Sequence, residues 1–284
     1  MKLLKKEFLD FEGYVYNIEV EDNHNYFAED ILVSNCYLSC NEHGKHADLN
    51  NPILDSLHSG MELAINLNDL SHPDLENFLI RMKDQGIIVN ATINQKHLKD
   101  NIDTLKNWQD RQLIWGIGIS LINSEDPIIW ENGLKNTVIH VIDGCFSKKD
   151  IDNLSNHNLK LLILGFKHKG RGVDYYNDYK EKIDNNIKYL NEHIMEYSNK
   201  FNTIAFDNLS ANNLNLKEKI DPAIWKTHYM GNEGEFTMYI DLVHNRYAIS
   251  SMETEYFNIT HDDTIDTIFK HIRKMGNYEK DINN

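Results

Sequence analysis

Short apolar runs alternate with longer amphipathic stretches from residue 62 to residue 206, and this alternation constrains the fold more than any other feature. The predicted strands are residues 62–66, 87–92, 114–119, 138–142, 161–164 and 203–206, and the predicted helices are residues 74–85, 97–107, 148–155 and 174–198. Several of the strands are apolar throughout, which is typical of parallel strands covered on both faces. The pattern predicts an α/β fold, a parallel (β/α) barrel or part of one.

Other segments flank this region on both sides. Residues 13–20, 26–28 and 31–33 predict short strands, and a meander of this size is too small to bury a core alone. After the alternating region, residues 235–251 predict a β-hairpin and residues 262–274 predict a terminal amphipathic helix.

The composition excludes several classes of protein. A formal net charge of −15 argues against a dedicated nucleic-acid-binding surface, since such a surface needs a basic stripe. No apolar run approaches the ~20 residues of a membrane span, and the polar start does not fit a signal peptide. The three cysteines, Cys36, Cys40 and Cys145, have no disulfide-framework spacing, so we expect a cytoplasmic chain with reduced thiols.

The dipeptide Asn35-Cys36 closes the first β-rich segment and has the chemistry of a self-cleaving junction. An Asn side-chain amide can attack its own backbone carbonyl, which forms a succinimide and releases the following residue. A Cys thiolate at that following position can attack a thioester. The same dipeptide also occurs by chance in loops, so the interpretation depends on the flanking residues.

Those flanks resemble the last two sequence blocks of an intein. The matching residues are 15–20 (VYNIEV), 23–32 (NHNYFAEDIL) and 34–36 (SNC). Since the chain starts with its own Met and lacks the N-terminal intein blocks, residues 1–35 resemble the C-terminal half of a naturally split intein. The resemblance implies protein trans-splicing, with a separate polypeptide that carries the N-terminal intein half and an N-extein as partner. Splicing itself requires no cofactor.

The resemblance also implies four catalytic positions. Asn35 matches the Asn that cyclises, and Cys36 matches the first residue of the C-extein. His24 matches the histidine that assists proton transfer, although a turn histidine is the alternative for it. Ser34 occupies the position where many inteins have a histidine, so more of the proton transfer is expected of His24.

Residues 36–284, the C-extein, are similar to a group of uncharacterised radical S-adenosylmethionine (SAM) proteins often found in viral genomes. The matching segments are Cys36-Tyr37, which resembles the end of the signature Cys-x3-Cys-x2-Cys, and residues 44–49, 70–75, 164–172 and 236–241. The resemblance implies a partial (β/α) barrel that holds a [4Fe–4S] cluster and SAM at the carboxyl ends of its strands. Cys36 is then the third cluster ligand, and the N-extein supplies the first two cysteines.

Five further residues are candidates for binding SAM or substrate: Asn66, Asn68, Asn94, Ser120 and Lys167. Asn66 and Asn68 stand where family members carry a Gly-rich sequence, and their amide groups can still bind an ammonium. Lys167 begins a basic loop suited to a carboxylate or phosphate, with a solvated loop as the equal alternative. The substrate, a small molecule or a peptide, is left open.

Two alternative functions belong to other classes of protein, a non-enzymatic barrel and a single-chain metal protein. A non-enzymatic barrel that has lost cofactor binding is favoured by the altered residues 66–69. An intact metal protein would use Cys36, Cys40 and His43 as ligands, but it leaves the Asn35-Cys36 junction and its flanks unexplained.

Overall fold

The computed structural model describes most of the chain from residue 45 onwards and four short strands before it. The described residues are 27–28, 31–32, 36–39, 41–42, 45–68, 70–168, 171–229, 231–251 and 253–276. Side chains are described for residues 46–67, 70–168, 172–229, 231–251 and 253–276. The strand predicted at residues 13–20 lies outside the described residues.

Strands and helices alternate along the described chain. The strands are β1 (Phe27–Ala28), β2 (Ile31–Leu32), β3 (Cys36–Ser39), β4 (Asn41–Glu42), β5 (Lys45–His46), β6 (Glu62–Asn68), β7 (Ile88–Asn94), β8 (Gly116–Ser120), β9 (Thr137–Ile142), β10 (Lys160–Leu164), β11 (Thr203–Phe206), β12 (Met238–Asp241), β13 (Arg246–Ala248) and β14 (Phe257–Asn258). The α-helices are α1 (Leu75–Asp84), α2 (Gln95–Asp110), α3 (Ile128–Glu131), α4 (Lys148–Leu154), α5 (Arg171–His193), α6 (Asn208–Asn213), α7 (Leu216–Lys219), α8 (Pro222–His228) and α9 (Ile265–Met275). Pro52–Ser56 and Ile194–Lys200 form 3₁₀ helices.

Ten of the described strands form one sheet, in the order β11-β10-β9-β8-β7-β6-β3-β12-β13-β14. Neighbours from β11 to β12 run parallel, whereas β13 and β14 pair antiparallel. Each strand from β6 to β11 lies beside the next strand along the chain, and right-handed crossovers then place the connecting helices on one face. The arrangement confirms the predicted α/β class and is compatible with part of a (β/α) barrel.

The two faces of the sheet differ in burial, as β7 shows. Val89, Ala91 and Ile93 are at most 2% exposed, while the alternate residues Asn90 and Thr92 are half-buried. Parallel ladder partners point to the same side, so the covered face continues through Ile117, Ile119, Ile139, Val141, Leu161 and Ile163. Each such buried aliphatic side chain contributes about 1.5–3 kcal/mol of transfer free energy.

We call the opposite side of the sheet the open face. Its residues on β6 to β10 are Glu62, Ala64, Asn66, Asn90, Thr92, Asn94, Gly116, Gly118, Ser120, Val138, His140, Ile142, Lys160, Leu162 and Leu164. Polar and small residues predominate on β6, β7 and β8, and aliphatic residues on β9 and β10.

Side-chain caps set where several helices begin. The Asn94 Oδ1 accepts a hydrogen bond from the Lys96 backbone N at 3.1 Å, which starts α2 directly after β7. Ser147 and Asp150 form a reciprocal capping box at the start of α4. These caps fix the length of the strand-to-helix turns at the carboxyl edge of the sheet.

The sheet curves so that distant strands approach each other. Lys167 follows β10, and its Nζ donates a hydrogen bond to Oγ of Ser251, beyond β13, at 2.8 Å. The Asn208 side-chain amide, after β11, donates to the carbonyl of Gly231 at 3.3 Å. The short strand β2 also contacts β11. The segment around the β12–β13 hairpin therefore contacts the residues that follow β10 and β11, although these strands are far apart in the strand order.

All six strands and four helices predicted in the alternating region are confirmed, with bounds shifted by a few residues. The predicted helix at 174–198 is α5 from Arg171 to His193, followed by the 3₁₀ helix from Ile194. The short helices α3, α6, α7 and α8 were not predicted, although α6 and α8 follow the capping residues Asp207 and Asp221. No described helix is long and apolar enough to cross a membrane.

Glu62 is a buried carboxyl at the start of β6, only 4% exposed. The Asn90 side-chain amide donates a hydrogen bond to it, and the Asn90 Oδ1 accepts one from the Gly116 backbone N at 2.8 Å. Burial raises the pKa of Glu62 to about 7, against a smaller opposing effect of the Asn90 hydrogen bond. The folded protein therefore favours the protonated carboxyl.

Glu62 should make stability depend on pH. Because the folded pKa is above the unfolded one, its contribution is complete below about pH 4.5 and is lost as pH rises through about 7. Glu62→Gln cannot ionise and still accepts the Asn90 hydrogen bond. We expect its free energy of unfolding, relative to wild type, to improve by up to about 3 kcal/mol between pH 4.5 and pH 8. Urea unfolding at the two pH values measures this difference.

The control is Glu131→Gln, which changes an exposed carboxyl. An equal pH-dependent gain in both variants would show that burial of Glu62 is not its cause.

Candidate functional site

The predicted splicing residues fall at the edge of the described chain. His24, Ser34 and Asn35 lie outside the described residues. Cys36 is the first residue of β3, and its strand pairs with β6 and β12 inside the ten-stranded sheet. The strands β1 and β2, before the junction, form a separate two-stranded antiparallel sheet. The predicted junction therefore coincides with a boundary between two sheets.

Strand register brings together most of the residues predicted to bind SAM or substrate. Asn66 on β6 pairs with Thr92 on β7, and Asn94 pairs with Ser120 on β8. All four lie on the open face near the carboxyl edge of the sheet. The side chain of Asn68 is outside the described residues, and the ladder between β6 and β7 is irregular from Asn66 to Asn68.

Two of these residues have partners within the fold. The Asn94 carboxamide oxygen caps α2, so its position serves the start of that helix. Asn66 also takes part in an interaction inside the chain. In contrast, the side chain of Ser120 has no hydrogen-bond partner among the described residues.

Lys167 lies four strand positions from β6, after the carboxyl end of β10. Besides its bond to Ser251, its charge acts on Glu233. Burial and the nearby Asp207 carboxylate raise the pKa of Glu233, whereas Lys167 lowers it. Lys167 is therefore part of a mixed-charge group that connects the C-terminal segment to β10 and β11.

Cys36 is also separate from the carboxyl-edge residues. It occupies the amino end of the four-residue strand β3, whereas Ser39 at the other end pairs with Asn66. Three residue steps along a strand correspond to about 10 Å. Cys40 comes directly after β3 in the chain, next to the carboxyl edge in sequence.

The sequence-based predictions missed His140, which lies at the centre of the open face. Its ladder partner on β8 is Ser120. The imidazole lies over the backbone of Gly118, where a Cβ would be 2.3 Å from its Cε1 and 2.5 Å from its Nε2. The same Cβ would be 2.9 Å from Oγ1 of Thr92. The imidazole can occupy this position only because residue 118 is a glycine.

Burial lowers the pKa of His140 to about 4, so the imidazole is neutral near pH 7. Its ring nitrogens have no hydrogen-bond partner within the described part of the chain. A neutral imidazole offers one hydrogen-bond donor and one acceptor.

A sequence signal for this arrangement exists. His140 interrupts the apolar run of residues 138–142, and Gly116 and Gly118 lie two residues apart in the neighbouring strand β8. Either feature alone has a structural explanation, and only the register between the two strands shows that one makes room for the other.

Asp143 is a fully buried carboxyl just after β9, with 0% exposure. It accepts hydrogen bonds from the backbone N of Gly144 at 2.6 Å, the backbone N of Phe166 at 2.8 Å and the Asn213 amide at 2.8 Å. Burial raises its pKa, although these hydrogen bonds oppose the rise. With its lone pairs directed at protein donors, Asp143 ties β9, β10 and α6 together and is a structural group.

Asp241 has a similar role at the end of β12. It is fully buried and accepts hydrogen bonds from His244 Nδ1 at 2.9 Å and Arg246 Nε at 2.8 Å. Burial opposes its ionisation, but these hydrogen bonds outweigh it and hold the pKa of Asp241 below its usual value. The Arg246 guanidinium also stacks on the Tyr256 ring, 4.0 Å from its centroid. The cluster stabilises the β12–β13 hairpin.

The described residues contain no group of three or more His, Cys, Asp or Glu side chains arranged to hold a metal ion. Cys145 follows β9, which lies four strand positions from β3, and burial raises the pKa of its thiol. The proposed ligands Cys40 and His43 lie outside the described residues.

Comparison of the chain with models of known protein families, with curated proteins and with solved structures finds no match.

The contact between Gly118 and His140 should appear as an energetic coupling. Gly118→Ala places a methyl group inside contact distance of the ring, and we expect a loss of about 1–3 kcal/mol of stability. In a His140→Ala background the ring is absent, so the same change should cost at least about 1 kcal/mol less. Urea unfolding of the four proteins gives the coupling energy.

Gly116→Ala is the matched control, because a Cβ at that position would meet Oδ1 of Asn90 at 2.6 Å and not His140. Its cost should be the same with and without His140. Additive costs for Gly118→Ala and His140→Ala would contradict the placement of the ring.

Proposed function

We propose that the chain is the C-terminal precursor of a protein trans-splicing reaction, with residues 1–35 as the split-intein half and residues 36–284 as the C-extein. The observation that carries the proposal is the Asn35-Cys36 pair within its intein-like flanks. The fold supports it, because β3 and the ten-stranded sheet begin at Cys36 while β1 and β2 pair with each other. Removal of residues 1–35 would then take no strand out of the ten-stranded sheet.

Two residues of this chain, Cys36 and Asn35, form and break the covalent bonds of the proposed reaction. The Cys36 Sγ attacks the thioester of the N-extein, which forms a new thioester and releases the thiol of the partner intein half. The Asn35 side-chain nitrogen then attacks its own carbonyl carbon, which breaks the peptide bond to Cys36 and leaves a succinimide. The freed Cys36 amine attacks the thioester carbonyl, and the resulting peptide bond releases the thiol. His24 is the proposed proton-transfer group.

The length of β3 gives further support. Its first ladder pair with β6 joins Tyr37 to Ala64, whereas β6 itself begins at Glu62. Glu62 and Leu63 pair with β7 but have no β3 partner among the described residues. An N-extein joined to Cys36 would continue β3 along this part of β6. Splicing would in this way lengthen an inner strand of the sheet.

The first test is Asn35→Ala in the full-length precursor, mixed with an N-terminal split-intein half that carries a reporter extein. Alanine cannot cyclise, so we expect the ligated product to fall at least 100-fold while the two halves still associate. Gel analysis and mass spectrometry measure the ligated product, and co-purification measures the association.

Asn50→Ala, in an exposed turn of the C-extein, is the control and should ligate as wild type does. Undiminished ligation by Asn35→Ala would overturn the proposal.

We further propose that the spliced product is a radical SAM-type enzyme. The alternation of parallel strands and helices supports this reading, as does the cluster-like Cys36-Tyr37 in the sequence. On this proposal the N-extein supplies the first two cluster cysteines and Cys36 is the third ligand. Such a cluster, when bound, supplies the electron for reductive cleavage of SAM. Asn66, Asn68 and Ser120 are the proposed SAM-side residues at the carboxyl edge.

The spliced protein, reconstituted with iron and sulfide, should show the broad visible absorption of a cluster and about four irons per chain. Cys36→Ala, introduced in a directly expressed fusion of the two exteins, should abolish that absorption, because it removes a proposed ligand. Cys145→Ala is the control and should retain it. Failure of the wild-type product to bind a cluster would overturn this half of the proposal.

The same measurement separates the alternatives. Stoichiometric metal in the unspliced precursor would favour the single-chain site of Cys36, Cys40 and His43. A cluster-free spliced protein that also fails to bind SAM would favour a non-enzymatic barrel.

A further inference from the structure

The strand β11 lies at one edge of the ten-stranded sheet. It pairs with β10 on one side, and its other side has no ladder partner among the described strands. A free strand edge presents backbone N–H and C=O groups that can pair with another extended chain. The residues of β11, Thr203–Phe206 (TIAF), favour a strand and include no charge and no proline, the features that protect many natural edges.

The residues of β11 are nevertheless well covered. Thr203 is 3% exposed and Ala205 is 0% exposed. Their ladder partners on the inner strand β10, Lys160 and Leu162, are only half-buried. Because an edge strand lacks a neighbour on one side, this order of exposure indicates that another segment packs against β11. Besides β10 and helix α6, the short strand β2 contacts β11, without joining its ladder.

Curvature of the sheet brings β2 to this edge. Six steps in the strand order separate β3 from β11, which corresponds to about 29 Å along a flat sheet. Only four residue steps separate Leu32, the end of β2, from Cys36, and an extended chain of that length reaches at most about 14 Å. The sheet therefore curves until the chain just before Cys36 lies beside β11.

Splicing would exchange the segment at this position. On the proposed function, on which this inference rests, residues 1–35 leave and the N-extein is joined to Cys36. The N-extein residues four and five positions before Cys36 are then tethered at the distance in sequence that Leu32 and Ile31 have now. Such a short tether gives a segment an effective concentration at β11 of about millimolar or more, an advantage that a separate chain lacks.

We propose that the free edge of β11 is a docking site for an extended segment of the N-extein, which replaces β2 there after splicing. The segment adds to the edge as a strand, and its backbone pairs with the N–H and C=O groups of β11 that face away from β10. It is uncharged and free of proline, and it lies about four or five residues before Cys36. In the precursor, β2 covers the edge until the N-extein takes its place.

The test compares two fusion proteins, each expressed as a single chain in which the same reporter domain precedes residues 36–284. The last six residues before Cys36 are Thr-Val-Thr-Val-Thr-Gly in the first fusion. In the second they are Gly-Ser-Gly-Ser-Gly-Gly, a flexible segment of equal length. Amide hydrogen exchange, followed by NMR, measures the protection of Thr203–Phe206. We expect the amides that face away from β10 to exchange at least tenfold more slowly in the first fusion.

The inner strand β8, Gly116–Ser120, is the internal reference, and its amides should exchange equally in both fusions. If the flexible fusion fails to fold, a variant of the first fusion with proline five positions before Cys36 replaces it, because proline cannot donate to a strand ladder.

The intact precursor tests the cover by β2. Leu32→Pro removes a backbone N–H and disfavours a strand at this position, so we expect the β11 amides to exchange at least threefold faster. Leu4→Pro, near the start of the chain, is the matched control and should leave β11 as protected as in wild type.

Three results would overturn the docking site. The first is equal exchange of the β11 amides in the strand-forming and flexible fusions. The second is protection that appears only as the protein concentration rises, together with a dimer in light scattering, which would show that a second copy pairs with β11. The third is equal exchange in Leu32→Pro and Leu4→Pro. Ligation by the precursor is scored separately, and its failure would overturn the proposed function itself.

Discussion

One-sided burial of the parallel sheet is the interaction on which the rest of the structure depends. The apolar residues that alternate along β7 to β10, such as Val89, Ile117 and Ile163, pack under the helices and are almost fully buried. Because the strands follow one another in order, every connection returns on the same side of the sheet. The opposite face is consequently left partly open and can carry polar residues without weakening the core.

Several polar side chains on the open face have no hydrogen-bond partner among the described residues. The two buried carboxylates Asp143 and Asp241 have their oxygens directed at several protein donors, so they act as structural ties at strand ends. His140, Thr92 and Ser120 differ from them, because their side chains have no partner in the described chain. The contrast distinguishes polar groups that hold the fold together from polar groups without a hydrogen-bond partner among the described residues.

A good part of this arrangement follows from the sequence. The apolar runs predicted β6 to β11, and the amphipathic stretches predicted α1, α2, α4 and α5, because each pattern buries one side of its element. Asn66, Asn94 and Ser120 were predicted near the carboxyl ends of strands, where the structure places them. The hydrogen bond of Lys167 to Ser251 was not predictable, because it joins segments that are 84 residues apart in the chain.

The sequence by itself determined the order of strands and helices and the prediction made for the dipeptide Asn35-Cys36, since both depend on residues close together in the chain. Only the tertiary structure decided that the imidazole of His140 lies over Gly118, and that Lys167 reaches Ser251. The first contact depends on the register between two strands, and the second on the curvature of the whole sheet. Register and curvature arise from packing summed over many side chains, and no local pattern of residues encodes them.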